Sequence, residues 1–260
     1  MILYESEIEQ ITLELLRDEN GYALAYGPEI QERYAPELGF GDPILQNRLR
    51  AAIDRLNPRI PESAREEAFK KVFRTSGLSV IDNNEAFHHL LTEGVDVKFS
   101  IGDGKSRTGK VWLADFTVPE NNEFLAVNQF TVVENSNNRR PDIVLFINGL
   151  PLVIFELKNA VDEKADVLTA FHQLKTYQQV IPSLFTFNAF EVISDGWFAK
   201  AGTISSDYSR FMEWKSVDGI HVVDSKNQPE LEFLVKGLLN KKTLLDIIRH
   251  FIVFEKTKEK

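Results

Sequence analysis

The chain has 260 residues, 43% hydrophobic and 27% charged, with a formal net charge of -9 and no cysteine. That length and balance suit one large domain, or a domain with a subdomain, built on an adequate core. The lack of cysteine excludes disulfides and thiolate metal sites, and the acidic balance argues against a self-sufficient nucleic-acid binder, which would show a basic footprint.

Residues 5–17 carry Ile8, Ile11, Leu13, Leu15 and Leu16 in a helical pattern that stops at Asn20-Gly21. No signal peptide or long apolar run is visible, which argues against secretion and membrane spanning and fits a cytoplasmic chain. Residues 43–56 and 62–73 read as two further helices, separated by Pro58 and Pro61, and residues 83–91 as a short fourth. His88-His89 in that helix does not read as a metal site. Adjacent helical residues do not face each other, and there is no H-E-x-x-H spacing. Residues 1–93 are thus expected to form a mainly helical N-terminal part packed on a core.

Strands follow at 95–101, 110–116 and 124–133, opening a core expected to span residues 94–225. Between the first two lies Gly102-Asp103-Gly104-Lys105-Ser106. It mimics the end of a phosphate-binding loop, but that pattern needs glycine where Phe99 stands and a long helix afterwards. The stretch reads as a hairpin turn, with no nucleotide expected there.

The most informative stretch is residues 140–158, RPDIVLFINGLPLVIFELK. Two apolar runs flank Asn148-Gly149, a β-hairpin signal. Asp142 begins the first strand, and Glu156 and Lys158 end the second. Glu156 and Lys158 are two apart and share a strand face. Asp142 joins that face under a three-residue turn or a bulge; a plain two-residue turn puts the two carboxylates on opposite faces. Converging carboxylates make a hard-oxygen site suited to Mg²⁺, and a lysine beside them can act on water or on developing negative charge. The plain alternative is a hairpin whose charged ends fray into solvent.

After the hairpin, residues 164–180 read as a helix stopped near Pro182, with Gln173 and Tyr177 four apart on one face. Residues 190–194 and 198–203 read as a strand pair around Asp195-Gly196. Residues 228–239 and 243–254 read as closing helices within a C-terminal stretch, 226–260.

Pro141-Asp142 with Glu156-Leu157-Lys158 resembles the PD-(D/E)xK nuclease signature. Arg139-Arg140-Pro141-Asp142-Ile143-Val144, Asn148-Gly149-Leu150-Pro151, Gln173-x-x-x-Tyr177, Ser194-Asp195-Gly196, Phe211-Met212-Glu213-Trp214-Lys215 and the stretch 244–255 together resemble the N-terminal nuclease domain of the restriction (R) subunit of type I restriction enzymes. The resemblance covers most of the chain, more loosely before residue 80. It implies an α/β (mixed α+β) restriction-endonuclease-like fold, with a mixed sheet flanked by helices.

Further implications follow from the same resemblance. Asp142, Glu156 and Lys158 would be catalytic. Asp142 and Glu156 would hold Mg²⁺ (or Mn²⁺), with the Leu157 carbonyl as a third oxygen. Gln173 and Tyr177 would contact DNA or support the catalytic groups, and Glu7 or Glu9 could add an early-helix acid. The implied partners are duplex DNA, methyltransferase (M) and specificity (S) subunits, and an ATP-driven motor following this region, with ATP bound there and not by these residues. Two other readings are a non-catalytic docking module of the R subunit and a repair or recombination nuclease of the same fold.

Overall fold

Strands that are apolar along their whole length need cover on both faces, and that need sets the architecture. The computed structural model describes residues 4–30, 40–74, 77–100, 105–159, 167–223 and 228–255. In chain order it runs α1 (Glu5–Asp18), β1 (Ala23–Tyr26), α2 (Gln46–Leu56), α3 (Glu62–Val72), α4 (Val80–Glu93), β2 (Val95–Ser100), β3 (Ser106–Val111), β4 (Phe124–Asn128), β5 (Val132–Glu134) and β6 (Asn137–Arg139). It continues through β7 (Ile143–Ile147), β8 (Leu150–Leu157), α5 (Val167–Val180), α6 (Pro182–Thr186), β9 (Phe190–Ser194), β10 (Ala199–Gly202), α7 (Glu230–Phe233) and α8 (Lys241–His250).

Six strands form one sheet in the order β1-β4-β7-β8-β9-β10. The pairs β1–β4 and β8–β9 are parallel, and the other three are antiparallel. This is the expected mixed sheet flanked by helices. Every residue of β7, β8 and β9 is buried. One face carries Phe155, Val192 and Leu145 under α1, α2, α4 and α8, which supply Ile8, Leu49, Leu91 and Leu245. The other carries Val144, Phe146, Ile154 and Ile193 under Ala170 and Leu174 of α5. The first strand of the sheet, β1, comes from within the mainly helical stretch 1–93.

The β7–β8 hairpin closes on two residues, Asn148 (φ 53°) and Gly149 (φ 81°), the twist that right-handed strands favour. Gly149 is required twice over, by its positive φ and because a Cβ would collide with the Leu45 carbonyl at the start of α2. From the turn, Ile147 pairs with Leu150 and Phe146 with Pro151. The register then slips, so that Leu145 pairs with Val153 and Ile143 with Phe155. Leu152 is the extra residue of a β-bulge. One step further, Asp142 stands opposite Glu156. Of the two solutions the residue parity allows, the fold uses a two-residue turn plus a bulge.

Several expected boundaries move. The strand at 124–133 breaks at Gln129, whose φ is 55°, and resumes as β5. The helix expected at 83–91 runs Val80–Glu93 because the Ser79 hydroxyl accepts the Asp82 N–H at 3.1 Å. The strand expected at 110–116 lies earlier, at Ser106–Val111, where it pairs with β2. The helix expected at 228–239 continues from α7 into a π-turn at Leu234–Leu238. The start of the helix at 164–180 and residues 102–104 of the glycine-rich turn lie outside the described residues. No described helix is long and apolar enough to cross a membrane.

Candidate active site

At one end of the sheet β7 begins and β8 and β9 end. The bulge brings Asp142 and Glu156 onto one face there, and Lys158 follows by strand alternation. All three side chains are buried, Glu156 completely. They do not fray into solvent.

The Asp142 Oδ2 accepts the Leu157 N–H at 2.7 Å. The Lys158 ammonium donates to Glu156 Oε1 at 2.7 Å and to the Leu157 carbonyl at 2.8 Å. The Lys158 N–H donates to the Ser194 carbonyl of β9 at 2.9 Å, which fixes the strand end. Glu156 Oε2 is buried and has no hydrogen-bond partner. An orphaned buried carboxylate oxygen costs free energy, so a native fold keeps one only for a reason.

The electrostatics agree with this arrangement. Burial pushes the Asp142 carboxyl up to about 7, against the opposing Leu157 N–H and Lys158 charge. Burial, then the Asp142 charge, push Glu156 well above the ordinary range, and Lys158 offsets only part of this. Burial pulls the Lys158 ammonium down, but Glu156, Asp142 and Glu5 together raise it above its ordinary value. One cation thus serves several carboxylates. The lysine gains from that crowding and the carboxylates remain short of positive charge.

Helix α1 lies over the same end and supplies a residue that sequence reasoning missed. Glu5 Oε2 is 3.7 Å from the Lys158 ammonium. Neither acid expected from this helix is the one beside Lys158. Glu7 accepts the Tyr4 N–H at 2.7 Å, closing the start of the helix. Glu9 accepts from Asn128 Nδ2 at 2.7 Å and Gln129 Nε2 at 2.8 Å. Spacing excludes Glu7, since Glu5 and Glu9 are four apart and share a helical face that it does not, but spacing does not choose between those two.

On α5, Gln173 Nε2 donates to the Tyr177 hydroxyl at 2.6 Å. Tyr177 is buried in the core on the Asp142 face. Burial first, then the negative charge of Glu156, hold its phenol above the ordinary range. The Gln173–Tyr177 pair therefore lies on the same side of the sheet as the carboxylates. Ser194-Asp195-Gly196 forms the adjoining turn, in which Asp195 Oδ1 accepts the Trp197 and Phe198 N–H groups at 3.0 and 2.7 Å. His88 is buried beside Phe254, and burial lowers it to about 4, whereas exposed His89 pairs with Glu93.

Among the described residues, no three His, Cys, Asp or Glu side chains gather as a metal cluster. The donor set is two carboxylates and a backbone carbonyl, all oxygen. The free Glu156 Oε2 and the crowded negative charge fit a hard divalent cation that keeps much of its shell as water.

A family model described as type I restriction enzyme R protein N terminus matches residues 2–210. The chain is 38% identical to the HindI type I restriction enzyme endonuclease subunit of Haemophilus influenzae, over 98% of this chain and 24% of that protein. It is 33% identical to the putative type I restriction enzyme MjaIXP endonuclease subunit of Methanocaldococcus jannaschii, over 92% of this chain and 24% of that protein. With the EcoprrI endonuclease subunit of Escherichia coli it shares 28% identity over 60% of this chain. The chain spans about a quarter of the length of the first two relatives.

Proposed function

The chain belongs to the family of type I restriction enzyme R protein N termini, and on that premise we propose that it is the Mg²⁺-dependent DNA endonuclease domain of such a protein. The observation that carries this reading is the convergence of Asp142, Glu156 and Lys158 on one face, with Glu156 Oε2 left unpartnered. Asp142 Oδ1, Glu156 Oε2 and the Leu157 carbonyl are the oxygens that would hold the ion. When bound, a divalent cation polarises a phosphodiester and lowers the pKa of water.

The residues of the chain do the rest. The Leu157 N–H fixes the Asp142 carboxylate by one oxygen and leaves the other free. Lys158 keeps its positive charge and lies where it can orient the attacking water or stabilise charge developing on the phosphate. The hydrogen bond between Gln173 and Tyr177 keeps the α5 side of the site in one arrangement, against which DNA would be placed.

The substrate in this reading is unmodified duplex DNA, delivered by ATP-driven translocation. The motor would follow in the same polypeptide, and S and M subunits would supply recognition and modification. Nicking of supercoiled plasmid by the assembled complex tests the proposal. Wild type should cut with Mg²⁺ or Mn²⁺ and stop in EDTA, and Asp142→Ala should not cut. Cleavage by Asp142→Ala at the wild-type rate would sink the assignment. A wild-type complex that translocates but never cuts would favour the docking-module reading.

A further inference from the structure

Arg139 and Arg140 lead into Asp142 from the β5–β6 ribbon and place two adjacent positive charges beside the site. The chain carries a net charge of -9, and Arg17, Arg48, Arg50 and Arg65 are each paired with a carboxylate. Among the described residues, neither Arg139 nor Arg140 has an ion-pair partner. Arg139 Nη1 donates to the Asn138 carbonyl at 2.9 Å and Arg140 Nε to the Thr131 hydroxyl at 3.1 Å. A guanidinium offers five N–H donors in a planar fork, so most of the donors on both residues remain available.

The ribbon that carries them is fixed. Its tip turns on Asn135 (φ 48°) and Ser136 (φ 67°), a two-residue turn of the kind that matches strand twist. Val132 pairs with Arg139 and is buried in the α5-side core. Glu134, the one carboxylate of the ribbon, accepts the Ser183 N–H of α6 at 3.0 Å. At the base, the Gln129 N–H donates to the Asp142 carbonyl at 3.1 Å, which ties the ribbon to the site. The tip shows Asn135, Ser136, Asn137 and Asn138, which are polar and uncharged. Val132, the ladder partner of Arg139, is buried in the same core as Tyr177, so this end of the ribbon lies on the α5 side of the sheet.

We propose that the β5–β6 ribbon is a phosphate grip, in which Arg139 and Arg140 bind the backbone of duplex DNA beside the bond to be cut. The inference rests on the nuclease reading above and adds to it the surface that holds the substrate. A two-stranded ribbon is narrow enough to enter a major groove, and Arg is the side chain best matched to phosphate. Arg139 precedes Asp142 by three residues, which span at most about 10 Å, or about three nucleotides of rise along one strand. The grip carries no sequence information; it positions the duplex, and recognition lies elsewhere.

Fluorescence anisotropy with a labelled duplex longer than one helical turn tests this. It is run across a salt titration in an Asp142→Ala background, which prevents cleavage. Replacing both arginines by alanine should weaken binding on the order of ten-fold or more and flatten the log–log salt slope by about one to two, since each lost phosphate contact removes about 0.9. Replacing both by lysine should restore the slope and only part of the affinity, a pattern that lost folding would not give. Equal affinity and slope in all variants, including no binding by any, would overturn the grip. Loss of binding in the alanine variant together with a wild-type complex that never cuts would keep the grip and remove the nuclease. Arginine-independent binding with Asp142-dependent cutting would do the reverse.

Discussion

At the closed end of the β7–β8 hairpin, the buried Asn148 side chain meets four partners; at the open end of the same two strands, Glu156 Oε2 meets none. Asn148 Oδ1 accepts the Glu123 N–H at 2.9 Å and Arg55 Nη2 at 3.0 Å. Its Nδ2 donates to the Leu113 carbonyl at 3.0 Å and to Asn122 Oδ1 at 2.8 Å. That end is a fully connected polar network, which fixes the hairpin against α2 and the β3–β4 loop. The open end does the opposite. It buries two carboxylates on one face, gives them one shared lysine, and leaves an oxygen empty-handed. The difference separates a group retained for the fold from one retained despite the fold. Strain of the second kind collects where chemistry is done.

Two substitutions should pull the ends apart. The largest effect is expected on cleavage, from Lys158→Gln. Glutamine keeps an amide donor for Glu156 and the Leu157 carbonyl and removes only the charge, whereas alanine would strip the donor from a buried carboxylate. Cleavage by the assembled complex should fall on the order of a hundred- to a thousand-fold, with the thermal midpoint of the chain shifted by a few degrees at most. A variant that unfolds, or one that cuts normally, would erase the difference between the two ends. Next in size is Asn148→Ala at the closed end. It takes a bond from all four partners, of which Asn122 Oδ1 keeps the Asp115 N–H and Arg55 keeps the Asn121 carbonyl, and places alanine at φ 53°. Urea denaturation should show a loss of about 3–5 kcal/mol. Asn148→Gly should recover only the small backbone part, because glycine accepts the positive φ and still lacks the side chain. A loss under about 1 kcal/mol for both would mean that the network contributes little.

The same contrast explains what could be read before the structure. The hairpin was legible because two unbroken apolar runs around Asn148-Gly149 leave few alternatives. Asp142, Glu156 and Lys158 were legible as a spacing, since motif and strand period together demand one face. The bulge at Leu152 was legible only as a requirement: parity asked for a turn of three or a bulge, and local sequence does not choose. The choice belongs to the packing of Gly149 on Leu45 and of both Leu152 and Val153 into one core. The short strand β1, largely exposed at the sheet edge, carries no strong pattern. The break at Gln129 depends on distant partners, Glu9 and Asp142, that no local window contains. Glu5 was passed over for the same kind of reason, because which acid of α1 reaches Lys158 is set by how that helix lies on the sheet.

A third buried carboxylate, Glu191 on β9, allows a smaller and more graded test of the contrast. It is fully buried on the α5 face and accepts from Gln178 Nε2 at 2.6 Å, while its other oxygen, 3.8 Å from the Lys175 ammonium, lacks a hydrogen bond. It is thus halfway between Asn148 and Glu156. Burial raises the Glu191 carboxyl to about 7 against the pull of Lys175, and burial also lowers Lys175, whose charge is drawn as well toward Asp207. Both partners are pushed toward neutrality, so the pair is weak as an ion pair.

The sign follows from proton binding. Between about 4.5, the value of an unperturbed glutamate, and about 7, the folded state holds a proton that the unfolded state has released. Stability from this group is full below that window and is lost as pH rises through it. Glu191→Gln keeps the acceptor for Gln178 and removes the titration. It should be nearly neutral at pH 4.5 and stabilising by about 1–3 kcal/mol at pH 8. The comparison must be variant minus wild type, because His88, lowered to about 4, costs stability as pH falls below its ordinary range in both proteins. Thermal midpoints at a series of pH values decide the matter. A difference that stays flat with pH, or that favours wild type at pH 8, would show that Lys175 and Gln178 satisfy Glu191 as a charged group, and would move it to the side of Asn148.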